Sequence, residues 1–236
     1  MRSMTFLANA LAATSLLCFV PLLSAQQEIR VRSISLHPNF PVEIHAHLPD
    51  GSATAGRVEI KSFLNHETNL LKFTGNRLVF TLRSSPVSAT DVNQVLGQVE
   101  IPSGLTSCVL LLLPESVEQG DFQSQVHAID DSAKEFPAGS FKVANLGNLP
   151  LKIELAKEIF EFAPGEIRSI TKLPFGENQS VSMEAYLKRN DQWSLISSGS
   201  WPNPGTRRVF EIVADNLVTK QFELKGIRDV TVPQNP

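Results

Sequence analysis

The segment IRVRSISL, residues 29–36, alternates between apolar and polar side chains along almost its whole length. A period of two places alternate side chains on opposite faces of an extended strand, so that one set can face a core while the other faces water. The same pattern recurs at residues 42–48, 58–61 and 78–82. We therefore predict a series of β-strands from residue 29 onward.

Turn-forming residues separate these segments and point to a fold made of short strands. Pro38, Gly51 and Gly75 stand in the three gaps, and Pro presets φ while Gly accepts a positive φ. We predict one short helix, at residues 89–96. Strands that follow each other closely, with turns between them, are typical of an antiparallel sandwich or barrel. The second half of the chain continues this pattern, with predicted strands at residues 122–129, 141–146, 151–155, 159–162, 181–187, 193–197, 208–213 and 220–227.

The best candidate for a linker is the acidic, Gly-containing segment 115–121, which follows an apolar run at residues 105–113. We therefore predict an all-β protein with two antiparallel, immunoglobulin-like β-sandwich domains, at residues 26–114 and 122–232. One continuous sandwich of about fourteen strands is the alternative.

Residues 1–25 have the features of a secretory signal peptide. Arg2 supplies a positive start, an apolar stretch follows, and Ala25 ends a segment that suits a cleavage site. A membrane anchor is the alternative, and Pro21 argues against it. We expect cleavage near Ala25, a secreted or periplasmic location, and a mature chain without a membrane span.

Composition excludes several classes of function. The chain has 236 residues and a formal net charge of −3, so there is no basic surplus to attract nucleic acid. Its two cysteines exclude a disulfide scaffold and a Cys-rich metal cluster. Cys18 lies in the predicted leader, and Cys108 lies in the apolar run, where a buried and unreactive thiol is expected.

The sequence also lacks the motifs of common enzyme classes, namely the G-x-S-x-G elbow, the P-loop and the G-x-G-x-x-G fingerprint. We therefore expect a non-catalytic protein without a cofactor, with a binding or structural role in the periplasm or cell envelope. Its expected partner is an envelope protein or a polysaccharide. Exposed edge strands can recruit a partner strand, and Arg30 and Arg32 are charges of the kind that prevent unwanted pairing.

Two histidines in one predicted strand form a candidate metal site. His45 and His47 are two positions apart, so both rings emerge on one face, and His37 could fold back as a third ligand. Such a set suits zinc or copper. The alternative interpretation is that the two rings belong to the polar face of an exposed strand.

Aromatic residues near the C-terminus form a second candidate site. Trp193 and Trp201, with Tyr186 close in sequence, could stack on sugar rings, so a carbohydrate-binding module is an alternative function. The other interpretation is core packing, because Trp193 and Leu195 alternate with Ser194.

Two pairs of charged residues have structural interpretations. Asp130 and Asp131 end a predicted strand, where Asp is a common turn former. Arg207 and Arg208 are interpreted as the solvated start of a strand rather than as an anion site.

Strand and turn motifs in the second half of the chain carry a resemblance to known sequences, and they lie at residues 126–132 and 136–146, with 163–165, Trp193 and 207–210. With these motifs the chain resembles a group of uncharacterised exported β-rich proteins of verrucomicrobial and related bacteria. The resemblance covers residues 105–230 and implies export and a β-rich fold, without an assigned activity. Two-domain periplasmic pilus chaperones are similar in size and architecture, but we find no counterpart of the basic pair with which they grip a client's C-terminus.

Overall fold

A computed structural model describes residues 26–229, except residues 38, 66, 116, 117, 119 and 218. The predicted signal peptide at residues 1–25 lies outside the described residues, as do residues 230–232 of the predicted second domain. Within the described part, the chain forms sixteen strands and one 3₁₀ helix, Pro86–Thr90. The strands are β1 Gln27–Ser35, β2 Glu43–His47, β3 Thr54–Glu59, β4 Asn69–Phe73, β5 Arg77–Thr81, β6 Val95–Glu100, β7 Ser107–Pro114, β8 Ser124–Asp130, β9 Phe141–Asn145, β10 Leu151–Leu155, β11 Glu158–Phe162, β12 Ile167–Ile170, β13 Ser180–Arg189, β14 Gln192–Pro202, β15 Arg208–Asn216 and β16 Gln221–Asp229.

These strands form four sheets of four strands, so the predicted all-β sandwich fold is confirmed. Sheet I has the order β3-β2-β5-β6, sheet II β4-β1-β7-β8, sheet III β12-β9-β15-β16 and sheet IV β11-β10-β13-β14. Most neighbouring strands run antiparallel, while β1 and β7, and β9 and β15, run parallel. The immunoglobulin-like topology and the division into two domains stay predictions.

Three hydrophobic clusters show that the sheets are stacked in the order I, II, III, IV. On β7, Leu110 and Leu112 point into the cluster between sheets I and II, while Val109 and Leu111 point into the cluster between sheets II and III. The third cluster fills the space between sheets III and IV. In the run at residues 105–113, residues 108–113 are all apolar because both faces of β7 are buried there.

Both faces of β1 are buried over residues 31–34, although the alternation predicted one wet face. Val31 belongs to the cluster between sheets I and II, and Ile34 belongs to the cluster between sheets II and III. β1 is an inner strand between β4 and β7. The expectation that Arg30 and Arg32 guard an exposed edge is therefore wrong, and the Arg32 side chain is 5% exposed.

The predicted linker at residues 115–121 lies inside a hairpin. β7 and β8 pair in antiparallel register on either side of it, with Leu112 opposite Val126. The chain passes from sheet II to sheet III later, over residues 131–140. Acidic, Gly-containing sequence suits a hairpin turn as well as a linker, so composition does not distinguish the two.

The helix predicted at residues 89–96 is wrong. The 3₁₀ helix ends at Thr90, and β6 begins at Val95. Gly97 in β6 lies so close to β8 that a β-carbon there would collide with the backbone oxygen of Ser124 and the side chain of Val126. This close approach needs a glycine, which weakens the strand pattern in the sequence. The described part of the chain contains no helix with the length and apolar character of a membrane span.

Four buried charged side chains join sheet II to sheet III. The Arg32 guanidinium on β1 donates to the carboxylate of Asp131 at 2.6 and 2.9 Å and to that of Asp229, at the end of β16, at 2.9 Å. Arg208, at the start of β15, donates from Nε to Asp229 at 3.0 Å. Burial alone would lower the Arg32 pKa, but the two aspartates raise it. The network pairs two guanidinium groups with two carboxylates, so its charges balance each other.

Backbone oxygens complete the hydrogen bonds of this network. Arg32 Nη1 also donates to the Asn65 carbonyl, and Arg208 Nη1 donates to the carbonyls of Asp131 and Phe136. Arg208 is only 3% exposed, so its interpretation as a solvated strand start is wrong. Asp131, which the sequence predicts as a turn residue, follows β8 and belongs to this network of buried charges.

We predict that Asp229→Asn strongly destabilises the fold, because the substitution leaves two arginines buried with one carboxylate. Removing one partner of a buried ion pair costs about 3 to 5 kcal/mol. Urea unfolding of the two purified proteins measures the difference in free energy of unfolding. In the exposed pair of Arg77 and Glu100, the control Glu100→Gln should cost less than about 1 kcal/mol. Equal losses for the two variants would contradict a central role for the network.

Candidate functional site

The outer face of sheet IV carries the most distinctive group of side chains at the surface of the stack. We call it the aromatic face and define it by Lys152, Glu154, Glu184, Tyr186 and Trp193. The Lys152 ammonium lies 4.2 Å from the centre of the Tyr186 ring and 5.3 Å from that of Trp193. These positions alternate along β10 and β13 with side chains that fill the cluster between sheets III and IV. The face is therefore held in place by the core beneath it.

The polar groups of the aromatic face are paired with each other. Lys152 forms a salt bridge with Glu154, and the Tyr186 hydroxyl donates to Glu184. That hydrogen bond is the main cause that raises the Tyr186 pKa to about 12, so the phenol stays protonated. The face thus presents two half-buried rings, one ammonium and two carboxylates, all attached to a rigid sheet.

A β-bulge decides which tryptophan belongs to this face. The register of β14 against β13 shifts between Ala185 and Tyr186. Trp193 and Trp201 are an even number of positions apart, and a regular strand would place both on one side of the sheet. The extra residue of the bulge reverses the alternation, so that Trp193 points outward and Trp201 points inward.

The two tryptophans therefore have different outcomes. Trp201 is 5% exposed and stacks on Phe141 with ring centres 4.5 Å apart, so its predicted role in sugar binding is wrong. The expectation that Trp193 and Leu195 face the core is wrong, because both lie on the outer side of sheet IV and Leu195 is 54% exposed. Trp201 packs in the core, and sugar stacking by Trp193 stays a prediction.

The predicted metal ligands His45 and His47 do share one face of sheet I, with ring centres 6.3 Å apart. His47 is fully buried, and its two ring nitrogens contact the hydroxyls of Thr54 and Thr81 at 3.0 Å. Burial is the main cause that lowers the His47 pKa. A metal would have to break these hydrogen bonds, and His47 is better explained as a neutral structural side chain.

The third predicted ligand, His37, packs edge-on against Phe40 and Phe122. Its Nδ1 accepts a hydrogen bond from the backbone of Asn39. Among the residues that the structure describes, no group of three His, Cys, Asp or Glu side chains is placed to hold a metal ion. The geometry does not favour the metal site, which remains only a sequence hypothesis.

Two buried titratable groups lie away from the aromatic face. Burial raises the pKa of the Cys108 thiol to about 12, which fits the unreactive thiol that we expected. Burial also raises the pKa of Glu211 to about 8, so this carboxyl is protonated at neutral pH. Its oxygens lie 3.0 and 3.1 Å from the position that a β-carbon of Gly226 would occupy, so glycine makes room for the carboxyl.

We predict that Glu211→Gln stabilises the protein at alkaline pH. In the unfolded chain this carboxyl has a pKa of about 4.3, whereas in the native state its pKa is about 8. The native state therefore loses stability as the pH rises from about 4.3 to about 8. Each pKa unit corresponds to about 1.4 kcal/mol, so the variant should be more stable by about 2 kcal/mol or more at about pH 8. The two proteins should converge near about pH 4. Urea unfolding across this range tests the trend, with the exposed Glu177→Gln as control. A pH-independent difference would contradict it.

Comparison with known proteins assigns no family. The sequence matches no protein-family model and no curated protein. The aromatic face is therefore the feature from which a function can be argued, and sequence reasoning found two of its residues, Tyr186 and Trp193. Lys152, Glu154 and Glu184 carry no local signal, because only the pairing of β10 with β13 brings them together.

Proposed function

We propose that this protein is an exported, non-catalytic binding protein of the periplasm or cell envelope that holds a polysaccharide on the aromatic face. The observation that carries the proposal is the pair of half-buried rings, Tyr186 and Trp193, on the outer face of an outermost sheet. Support for export comes from the signal-peptide features of residues 1–25 and from the resemblance to exported β-rich proteins.

The chemistry of the face suits a sugar polymer. The C–H bonds on one side of a pyranose ring carry partial positive charge, and an aromatic ring offers a negative face to them. Carboxylates such as Glu154 and Glu184 accept hydrogen bonds from sugar hydroxyls more strongly than neutral groups do. Lys152 can donate to a ring or glycosidic oxygen. A binding site on the face of a sheet leaves both ends of the bound segment open, as a long chain requires.

Both carboxylates of the face are engaged with a neighbour, which favours binding over catalysis. Glu154 is paired with Lys152, and Glu184 accepts from Tyr186. Glycoside hydrolysis needs one carboxyl that is held protonated and a second that attacks or activates water across the same bond. Two carboxylates on an open face, each held by its own partner, better suit the recognition of hydroxyl groups.

We predict that Trp193→Ala weakens polysaccharide binding about tenfold, because a stacked ring contributes about 1.4 kcal/mol. Affinity electrophoresis in gels containing soluble glucan, xylan or mannan, and co-sedimentation with peptidoglycan, measure the binding. Trp193→Phe should retain most of the affinity, because a phenyl ring keeps a stacking face.

The matched control is Phe63→Ala, which removes an aromatic ring that is 52% exposed between β3 and β4. This variant should bind as the wild type does. The chain contains two tryptophans, so the intrinsic fluorescence that responds to ligand should disappear in Trp193→Phe while the buried Trp201 still emits. Equal binding by Trp193→Ala and the wild type, or binding of none of these polymers, would refute the proposal.

A further inference from the structure

The edge strands β11 and β12 of sheets IV and III are separated from each other, whereas the edge strands of sheets I and II are in contact. Where sheets I and II meet, their edge strands lie against each other. A β-carbon on Gly56 of β3 would lie 2.9 Å from the Leu70 carbonyl of β4, and one on Gly97 of β6 would collide with β8. Between sheets III and IV, by contrast, β11 and β12 leave a groove of about 670 Å³ between them.

Both strands beside this groove are edge strands of their sheets. β11 pairs with β10, and β12 pairs with β9, and no strand of the described residues pairs with their other edges. The Glu161 carbonyl of β11 points into the groove, because Arg168 of β12 donates to it from Nη2 at 2.8 Å. Alternate residues of an antiparallel strand direct both backbone groups to the same edge, so Ile159 offers its N–H and C=O there as well.

The side chains along the groove combine exposed apolar groups with charges, which suits the addition of another strand. Ile159 is 60% exposed, and Phe160 is half-buried and packs on the cluster between sheets III and IV. Glu158 and Glu161 give the β11 side a negative charge, whereas Arg168 and Lys172 give the β12 side a positive one. An incoming strand with apolar side chains opposite Ile159 and basic ones beside the glutamates would match this edge.

We infer that the groove between β11 and β12 is an acceptor site for an extended polypeptide segment of a partner protein, which joins the free edge of β11 as an additional strand. Main-chain hydrogen bonds supply affinity in this mode of binding, and alternate side chains supply specificity.

Arg168 regulates access to this edge. Its guanidinium lies 4.6 Å from the centre of the Phe162 ring and donates a hydrogen bond to the Glu161 carbonyl. A charged side chain across an edge strand is a common protection against unspecific pairing. A cognate strand has to displace this single hydrogen bond, so Arg168 lowers the affinity for every strand and leaves recognition to the side chains.

The test uses a fluorescein-labelled peptide of alternating valine and threonine with lysine at both ends, titrated into the mature protein and followed by fluorescence anisotropy. Ile159→Lys should weaken binding about tenfold or more, because it places a charge on the edge. Arg168→Ala should strengthen binding about threefold, because it frees the Glu161 carbonyl. The matched control is Leu195→Lys, a similarly exposed aliphatic residue on the opposite edge strand of sheet IV, which should leave binding unchanged.

Two further measurements separate strand addition from other modes of binding. A peptide methylated on alternate backbone nitrogens should not bind, and amide hydrogen exchange across β11 should slow when the unmodified peptide is bound. The proposal is overturned if the methylated peptide binds equally well, if Ile159→Lys binds like Leu195→Lys, or if the unmodified peptide does not bind.

A second copy of the chain is the competing occupant. Light scattering that shows a wild-type dimer and an Ile159→Lys monomer would assign the groove to self-association and overturn the inference. The inference does not depend on polysaccharide binding, and Trp193→Ala should bind the peptide as the wild type does.

Discussion

The buried network of Arg32, Asp131, Arg208 and Asp229 fixes how the two inner sheets face each other. Taking four charges out of water is unfavourable unless each finds its partners, and the four residues come from β1, β15, the end of β16 and the segment after β8. A hydrophobic contact between sheets II and III tolerates sliding and rotation, whereas two guanidinium groups that share carboxylates do not. We infer that the network selects one orientation of the stack, while the apolar cluster around it supplies most of the stability.

This constraint explains where sequence patterns predicted the fold and where they did not. Period-two alternation identifies strands with one dry and one wet face. In β13, every second residue from Val181 to Leu187 is buried, and the residues between them are exposed or half-buried. Over residues 31–34 of β1 both faces are buried, and the charged Arg32 occupies one of the buried positions. Local sequence could not show that Arg32 is buried, because the compensating charge of Asp229 comes from the far end of the chain.

The candidate sites show the same division between local pattern and distant contact. The alternation of His45 and His47 correctly predicted two rings on one face. It could not predict that the segment around the 3₁₀ helix covers His47, with Ser88 and Thr81 joined at 2.8 Å beneath it. The outward position of Trp193 depends on a bulge between β13 and β14, and a register shift appears only when the two strands are paired. The residue types indicated histidine and aromatic sites, and the pairing of the strands decides which of these side chains reach the surface.

The stack also determines which surfaces remain for function. Sheets II and III are covered on both faces, and the 3₁₀ helix with its flanking turns covers part of the outer face of sheet I, where His47 and Thr81 are fully buried. Within the described part of the chain, no helix covers the outer face of sheet IV in this way, and that face carries Tyr186 and Trp193. Large apolar groups that stay at a surface cost solvation free energy, and rings that served only the fold would gain more from burial. The uncovered face and the open edge of β11 belong to the same sheet, so we expect binding to concentrate at this end of the stack.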